Sequence, residues 1–195
     1  LESGFALGYP TALYQLPQVT GNEMGPDLLV QLAERHPHFV AYKDTSGGDR
    51  FALAPDRPAD VVLLRGADGD YVRWLKQTGG PYDGLLIGSA NCFPEEIHRI
   101  LRDAQRGRLE EARRRTDRLL STVETVMRLT CPLPVGNRFS NPNKAIDHYR
   151  AFGARAAEVK PPTVHGGARL PQDAIARTGE ILRRAELLPA KGYLE

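Results

Sequence analysis

The chain has 195 residues, of which 41% are hydrophobic and 26% are charged, and these values are ordinary for a single globular domain. Its formal net charge of +2 gives no basic excess that would attract nucleic acid or an anionic membrane surface. The two isolated cysteines, Cys92 and Cys131, fit neither a disulfide framework nor the spacing of a zinc site. We therefore expect a small-molecule partner, with no nucleic acid, membrane or metal.

The first residues, LESGFALGYP, lack the charged start and apolar centre of a signal peptide. No stretch of the sequence has the apolar length of a membrane span. We therefore expect a cytoplasmic protein. The start at Leu1, without an initiator methionine, is typical of a cut within a longer protein.

The first half of the chain alternates short apolar runs with helical patterns. The apolar runs predict four strands buried on both faces: TALYQL (11–16), HFVAYKD from His38, ADVVLLRG from Ala59 and DGLLIGSAN from Asp83. Helices are predicted at Pro26–Glu34 and over DGDYVRWLKQTGG, where Gly79 and Gly80 end the helix. Repeated strand-helix units predict an α/β fold with a parallel sheet.

The second half of the chain, from Pro94, shows helical patterning only. The predicted helices cover PEEIHRILRDAQ, GRLEEARRRTDRLLSTVETVMRL, NPNKAIDHYRAFG and PQDAIARTGEILRRAELL. Six arginines in RGRLEEARRRTDR are interleaved with acids, which indicates a solvated helix face rather than a nucleic-acid site. Four parallel strands cannot close a barrel, which needs eight strands.

Lys43 ends the apolar run FVAYK, and the carboxyl end of a buried parallel strand is where such folds place catalytic groups. Desolvation there favours the neutral, nucleophilic form of an amine. Tyr14 occupies a comparable place in the preceding strand, so the two side chains can approach each other. From position alone, Lys43 could equally extend to the rim or pair with Asp44, and Tyr14 could be a core aromatic residue.

The sequences around these two residues carry a more specific signal. LYQLPQVTG followed by FVAYKDTSGG resembles the tyrosine and lysine motifs of the dihydrodipicolinate synthase and N-acetylneuraminate lyase family. LLRGADGDYV and DGLLIGSANCFPEE resemble the strands that follow in that family, and PNKAIDHYRAFG and ARLPQDAIARTGEIL resemble its C-terminal helices. The likeness covers nearly the whole chain.

The resemblance implies a (β/α)8 TIM barrel of which about strands 5–8 are present, followed by a C-terminal helical extension. Residues 1–107 would then be the second half of the barrel, and residues 108–195 the last barrel helix region with the extension. The implied activity is that of a Schiff-base lyase acting on pyruvate or a related 2-oxo acid, without a metal or other cofactor. The resemblance also implies a homo-oligomer, either a dimer or a tetramer.

The family's functional residues are carried over by the same resemblance. Lys43 is the implied imine-forming residue and Tyr14 the implied proton relay. The resemblance implies that the Gly66 backbone lies near the bound substrate and that Leu86 lines the pocket beside the imine. Thr45 is implied to contact the imine.

Two departures from the family pattern limit what the resemblance implies. Val19 stands where dihydrodipicolinate synthases usually carry an arginine that holds the carboxylate of the second substrate, which disfavours a role in lysine biosynthesis. The family's first four strands, with a Gly-Thr-Thr carboxylate-binding turn and a further tyrosine, have no counterpart in this sequence. A truncated, non-catalytic barrel acting as a scaffold is one alternative, and a sugar-acid dehydratase using the same imine is another.

Overall fold

In a computed structural model that describes residues 2–194, with side chains from Gly4 onward, the chain divides into two compact units. The first comprises the chain up to Ile87 together with Ala104–Gly107, and the second comprises Gly88–Asp103 and the chain from Arg108 onward. The first unit contains a parallel sheet.

The sheet has four strands in the order β1-β2-β3-β4, and every pair is parallel, which confirms the predicted α/β class. The helices α1 to α4 of this unit connect or flank the strands, and a 3-10 turn at Lys76–Thr78 follows α4. The strands are β1 (Thr11–Gln15), β2 (Phe39–Asp44), β3 (Val62–Arg65) and β4 (Gly84–Leu85), and the helices are α1 (Glu2–Phe5), α2 (Pro17–Thr20), α3 (Pro26–Arg35) and α4 (Tyr71–Trp74).

The two faces of the sheet differ in exposure. Leu13, Tyr42 and Leu63 are buried in one cluster with Leu29 and Leu32 of α3, because the apolar side of this helix packs on their face of the sheet. Residues of the opposite face alternate with them, and Tyr14 and Val62 there are 50% and 45% exposed. Within this unit one face of the strands is therefore exposed, whereas the sequence predicted strands buried on both faces.

Two predicted elements are shorter than expected. The single helix over residues 68–80 is wrong, because Leu75 is extended between α4 and the 3-10 turn and forms a parallel bridge with Tyr82. Backbone bonds from Lys76 to Tyr82 and from Tyr82 to Trp74 replace the helical ones there. The fourth predicted strand is reduced to β4, since Gly88–Asn91 form a 3-10 turn.

From Pro94 onward the chain is helical, as predicted, with α5 (Pro94–Gln105), α6 (Leu109–Thr130), α7 (Asn141–Phe152) and α8 (Gln172–Arg184). Helices α6, α7 and α8 pack on one another through apolar side chains that include Leu119, Ile146 and Ile175. No helix within residues 2–194 combines the length and the apolar composition of a membrane span.

Candidate active site

Tyr14 and Lys43 lie side by side on neighbouring strands. They are direct partners in the register of β1 and β2, one residue before each strand ends. The Lys43 ammonium nitrogen lies 4.2 Å from the centre of the Tyr14 ring, within cation-π distance. The structure thus brings together the two residues predicted to carry the chemistry, on the open face of the sheet. Tyr14 is half exposed, so it is not a core aromatic residue.

The stem of the Lys43 side chain is enclosed by the loops that follow β2 and β3. The Gly66 N–H donates a 2.6 Å hydrogen bond to the Asp44 carbonyl, which brings its Cα against Lys43 and Thr45. A Cβ built on Gly66 would lie 2.7 Å from Lys43 Cε and would overlap the Thr45 hydroxyl. A side chain at this position would therefore displace the Lys43 or Thr45 side chain. Thr45 Oγ1 is buried and has no hydrogen-bond partner in the described part of the chain.

A buried polar layer lies on the other face of the sheet, behind Lys43. Asp44 is 1% exposed and points away from Lys43, because successive strand residues face opposite sides. One of its carboxylate oxygens accepts a 2.8 Å bond from the Ser46 N–H. Burial, followed by the Asp44 and Glu23 carboxylates, raises the pKa of Tyr42, so that phenol stays protonated. Pairing between Lys43 and Asp44, one of the alternatives, is thus disfavoured.

A buried ion pair joins the same two loops. The Arg65 guanidinium donates from Nε to Asp49 Oδ1 at 3.0 Å and from Nη2 to Asp49 Oδ2 at 3.1 Å. The Tyr82 hydroxyl donates to Asp49 at 2.6 Å, and burial together with this bond raises the pKa of Tyr82. Sequence reasoning missed these residues. One signal could have indicated Arg65, because it is a charged residue at the end of the apolar run VVLLR. In the structure it is buried at the end of β3.

The turn after β1 contacts the loop that follows Lys43. The Gln18 side-chain amide donates to the carbonyl oxygens of Thr45 and Ser46, both at 3.2 Å. The neighbouring Val19 is 59% exposed. Helix α2, which carries both residues, begins at Pro17, a residue that favours the first turn of a helix.

Leu86, the remaining predicted pocket residue, lies further away along the sheet. It follows β4, on the far side of β3 from Lys43, and its N–H donates to the Arg65 carbonyl at 2.9 Å. Its side chain is 50% exposed. Within residues 2–194, no three His, Cys, Asp or Glu side chains are arranged so that they could hold a metal ion.

Comparison with known proteins gives the family. The sequence matches the Dihydrodipicolinate synthetase family over residues 6–141. The chain belongs to this family. The family resemblance predicted from the tyrosine and lysine motifs is therefore confirmed.

Individual members of the family match with moderate identity. A 4-hydroxy-tetrahydrodipicolinate synthase from Prosthecochloris aestuarii is 30% identical over 132 residues, which cover 67% of this chain and 43% of the relative. The chain thus spans less than half the length of this family member.

Solved structures of the family share the fold. The prophage protein YagE from E. coli K12, in complex with pyruvate, has a TM-score of 0.68 at 20% identity and covers 91% of this chain and 56% of its own. A variant 2-keto-3-deoxygluconate aldolase from Sulfolobus solfataricus, in complex with L-2-keto, 3-deoxy-galactonate, has a TM-score of 0.64 at 17% identity. It covers 91% of this chain and 54% of its own.

Proposed function

We propose that the protein is a class I aldolase-type lyase in which Lys43 forms an imine with pyruvate or a related 2-oxo acid. The observation that carries this proposal is the register of Tyr14 and Lys43, which puts a phenol beside a primary amine at the carboxyl end of a parallel sheet. Family membership supports it, as does the pyruvate complex of the family member YagE.

The proposed reaction begins when the Lys43 amine attacks the ketone carbon of the 2-oxo acid. A carbinolamine forms, loses water and becomes a protonated imine. In the cleavage direction the positive imine nitrogen withdraws the electron pair of the bond between C3 and C4 of the bound acid. That bond breaks as the C4 hydroxyl loses its proton, which leaves an aldehyde and an enamine. A proton added to C3 of the enamine restores the imine, and water hydrolyses the imine to release the 2-oxo acid and regenerate the Lys43 amine. Condensation is the reverse of these steps.

Tyr14 is proposed to relay the proton to or from the reacting oxygen. Its ring lies against the Lys43 ammonium group, so its hydroxyl belongs to the same open face of the sheet. Proton transfer by a positioned side chain contributes about 10²- to 10⁴-fold to a reaction rate. We propose Thr45, Gly66 and Leu86 as further substrate-binding residues. Of these, Gly66 lies against both the Lys43 side chain and the Thr45 hydroxyl.

The second substrate is proposed to lack a carboxylate at the position next to α2. Val19 is exposed there and offers no positive charge. An exposed aliphatic side chain disfavours a carboxylate, because it supplies no hydrogen-bond donor. This disfavours the second substrate of dihydrodipicolinate synthases and favours a neutral aldehyde.

We also propose that the four-stranded sheet is the second half of a (β/α)8 barrel. The family's solved structures, of which the chain covers little more than half, support this arrangement. The expected dimer or tetramer and the cytoplasmic location stay predictions, and light scattering of the full-length protein checks the first.

The test of the proposed function is covalent trapping. The full-length protein is incubated with pyruvate, reduced with borohydride and digested, and the peptides are mapped by mass spectrometry. We expect added mass on the peptide that contains Lys43. Lys43→Ala should abolish the adduct, whereas Lys144→Ala, which removes a lysine of α7, should leave it unchanged. A reducible adduct in Lys43→Ala, or its absence in the unaltered protein, would refute the imine proposal.

Tyr14→Phe separates imine formation from proton relay. We expect the trapped adduct to form, while turnover with a 2-oxo acid and an aldehyde falls by about 10²-fold or more. Full turnover in Tyr14→Phe would contradict the relay role and leave the role of Lys43 intact.

A further inference from the structure

The buried ion pair between Arg65 and Asp49 occupies a place that the proposed chemistry does not use. Arg65 is the last residue of β3 and is paired in register with Asp44, so it points away from the open face that carries Lys43. The side chains of Arg65 and Asp49 are 7% and 2% exposed. Burying two charges is costly, and such a pair persists only where its geometry and further hydrogen bonds compensate.

The hydrogen bonds of Arg65 connect the loop after β2 with the loop after β3. Two of its nitrogens hold the Asp49 carboxylate in a bidentate arrangement, which fixes the loop after β2. The third nitrogen, Nη1, donates to the carbonyl oxygens of Ala67 at 2.8 Å and Gly69 at 2.9 Å, which fixes the loop after β3. The guanidinium carbon also lies 4.7 Å from the centre of the Trp74 ring.

These two loops are the ones that enclose the Lys43 stem. The loop after β2 begins with Thr45, and the loop after β3 begins with Gly66, where a Cβ would displace the side chain of Thr45 or Lys43. A shift of either loop would therefore open the space around Lys43 Cε. Because Arg65 holds Asp49 in one loop and Ala67 in the other, it sets the distance between them.

We propose that Arg65 and Asp49 form a positioning pair, which holds the Lys43 side chain in its reactive orientation by joining the two loops around it. This inference rests on the proposed function, since it assigns the pair to the imine-forming lysine. Only arginine can serve here, because lysine cannot supply a planar fork to the carboxylate and further donors to two carbonyl groups.

The experiment removes both charges of the pair together in the full-length protein. Arg65→Met, Asp49→Asn and Tyr82→Phe are combined. Asparagine is chosen because Asp49 has a φ of 54°, which asparagine tolerates, and Tyr82→Phe removes the other side-chain hydrogen bond to position 49. Removing both charges avoids the unpaired buried charge that either single substitution would leave. The triple variant is compared with Arg115→Met, an arginine whose partners Glu96 and Asp103 lie in the other unit.

The first measurement is the rate of pyruvate trapping by borohydride on Lys43 as a function of pyruvate concentration. In the triple variant we expect a maximal rate lowered by about tenfold or more, because small displacements of a reacting group cost that much. The half-saturating pyruvate concentration should change much less, since the pair orients the amine and lies on the face of the sheet opposite to it. Arg115→Met should keep both values. A folded triple variant with an unchanged maximal rate would overturn the inference.

Arg65→Lys covers the case in which the triple variant does not fold. This variant keeps a positive charge opposite Asp49 but cannot hold both carbonyl groups, and we expect a folded protein with a lowered trapping rate. A normal rate in Arg65→Lys would overturn the inference.

Hydrogen exchange separates failure of this inference from failure of the proposed function. Peptides covering residues 45–50 and 66–70 should exchange faster in the triple variant than in the unaltered protein. Faster exchange without any adduct in the unaltered protein would refute the imine proposal, and the positioning of Lys43 with it, but not the joining of the loops. An adduct in the unaltered protein with unchanged exchange in the variant would refute the positioning pair alone.

Discussion

At the scale of single residues, Gly66 is the position where the smallest substitution should have a large effect. The hydrogen atom on its Cα faces the Lys43 stem, and a methyl group there would lie 2.7 Å from Lys43 Cε and overlap the Thr45 hydroxyl. Gly66→Ala should therefore displace Lys43 and lower the rate of pyruvate trapping by about tenfold or more. The measurement is the yield of the reduced Lys43 adduct against time.

Gly48 offers a matched control for Gly66, because it lies in the loop after β2 and has room for a methyl group. A Cβ on Gly48 would lie 3.5 Å from the Ser46 hydroxyl oxygen, which is an ordinary contact. Gly48→Ala should trap pyruvate at the normal rate. Equal losses in both variants would indicate that these loops tolerate no substitution, and the specific contact of Gly66 with Lys43 would then not explain the effect.

Some residues of the candidate site could be predicted from a local sequence motif, and others could not. Tyr14 and Lys43 could be predicted because each stands in a recognisable motif at the end of an apolar run, and parallel strands bring such positions together. Asp49 and Arg65 could not, because their pairing depends on how two loops fold. Nothing local to either residue indicates a partner 16 residues away.

At the scale of elements, the packing of α8 on α7 depends on Gly179. The Tyr149 ring lies across this glycine, and its hydroxyl donates to the Ile175 carbonyl at 3.0 Å. A Cβ on Gly179 would lie 2.7 Å from Tyr149 Cε1 and would overlap the hydroxyl. Overpacking costs about 1–3 kcal/mol and the helix propensity of alanine returns about 1 kcal/mol, so Gly179→Ala should lower the free energy of unfolding by up to about 2 kcal/mol.

Urea unfolding followed by circular dichroism measures this change, with Glu180→Ala as the control. Glu180 is the next residue of α8 and is exposed, so its substitution should change the free energy of unfolding by no more than about 0.5 kcal/mol. Stabilisation in Gly179→Ala would show that the Tyr149 ring can move aside without loss.

The long helices were predictable from sequence, and the short elements of the first half were less so. Helices α5 to α8 carry several turns of apolar periodicity, and that signal is strong at such lengths. Residues 71–78 have the same periodicity over fewer turns, and there the bridge between Leu75 and Tyr82 overrides it. A tertiary contact of this kind cannot be deduced from the helical pattern.

At the scale of the whole molecule, sequence alone could not show which face of the sheet stays exposed within these residues. An apolar run such as FVAYK is the same whether one face or both faces of its strand are covered. The exposure of Tyr14, Val62 and Leu86 becomes evident only in the folded chain. The class of fold followed from the alternation of elements, whereas burial depended on what each element contacts.

The lowered pKa values of two carboxyl groups predict that the protein loses stability in acid. Although burial alone would raise the pKa of Glu96, hydrogen bonds from Arg118 and Arg115 lower it, and a bond from Arg108 lowers the pKa of Asp103. A carboxyl group whose pKa is lower in the folded state stabilises the protein above its unfolded-state pKa of about 4. That contribution disappears as the pH falls through the folded-state pKa. The free energy of unfolding should therefore be steady from about pH 7 to 5.5 and decrease below about pH 4.5.

Glu96→Gln tests how much of this acid dependence comes from one group. Glu96 is 6% exposed in its side chain and accepts bonds from Arg115 at 3.1 Å and Arg118 at 2.7 Å, so at pH 7 its loss should cost about 1–3 kcal/mol. The variant has no carboxyl group to protonate, so the difference from the unaltered protein should narrow as the pH falls from 5 to 3.5. Glu110→Gln, in an exposed pair with Arg113, should follow the unaltered protein throughout. A difference that stays constant over this pH range in urea unfolding would mean that Glu96 stabilises the fold through packing rather than through its charge.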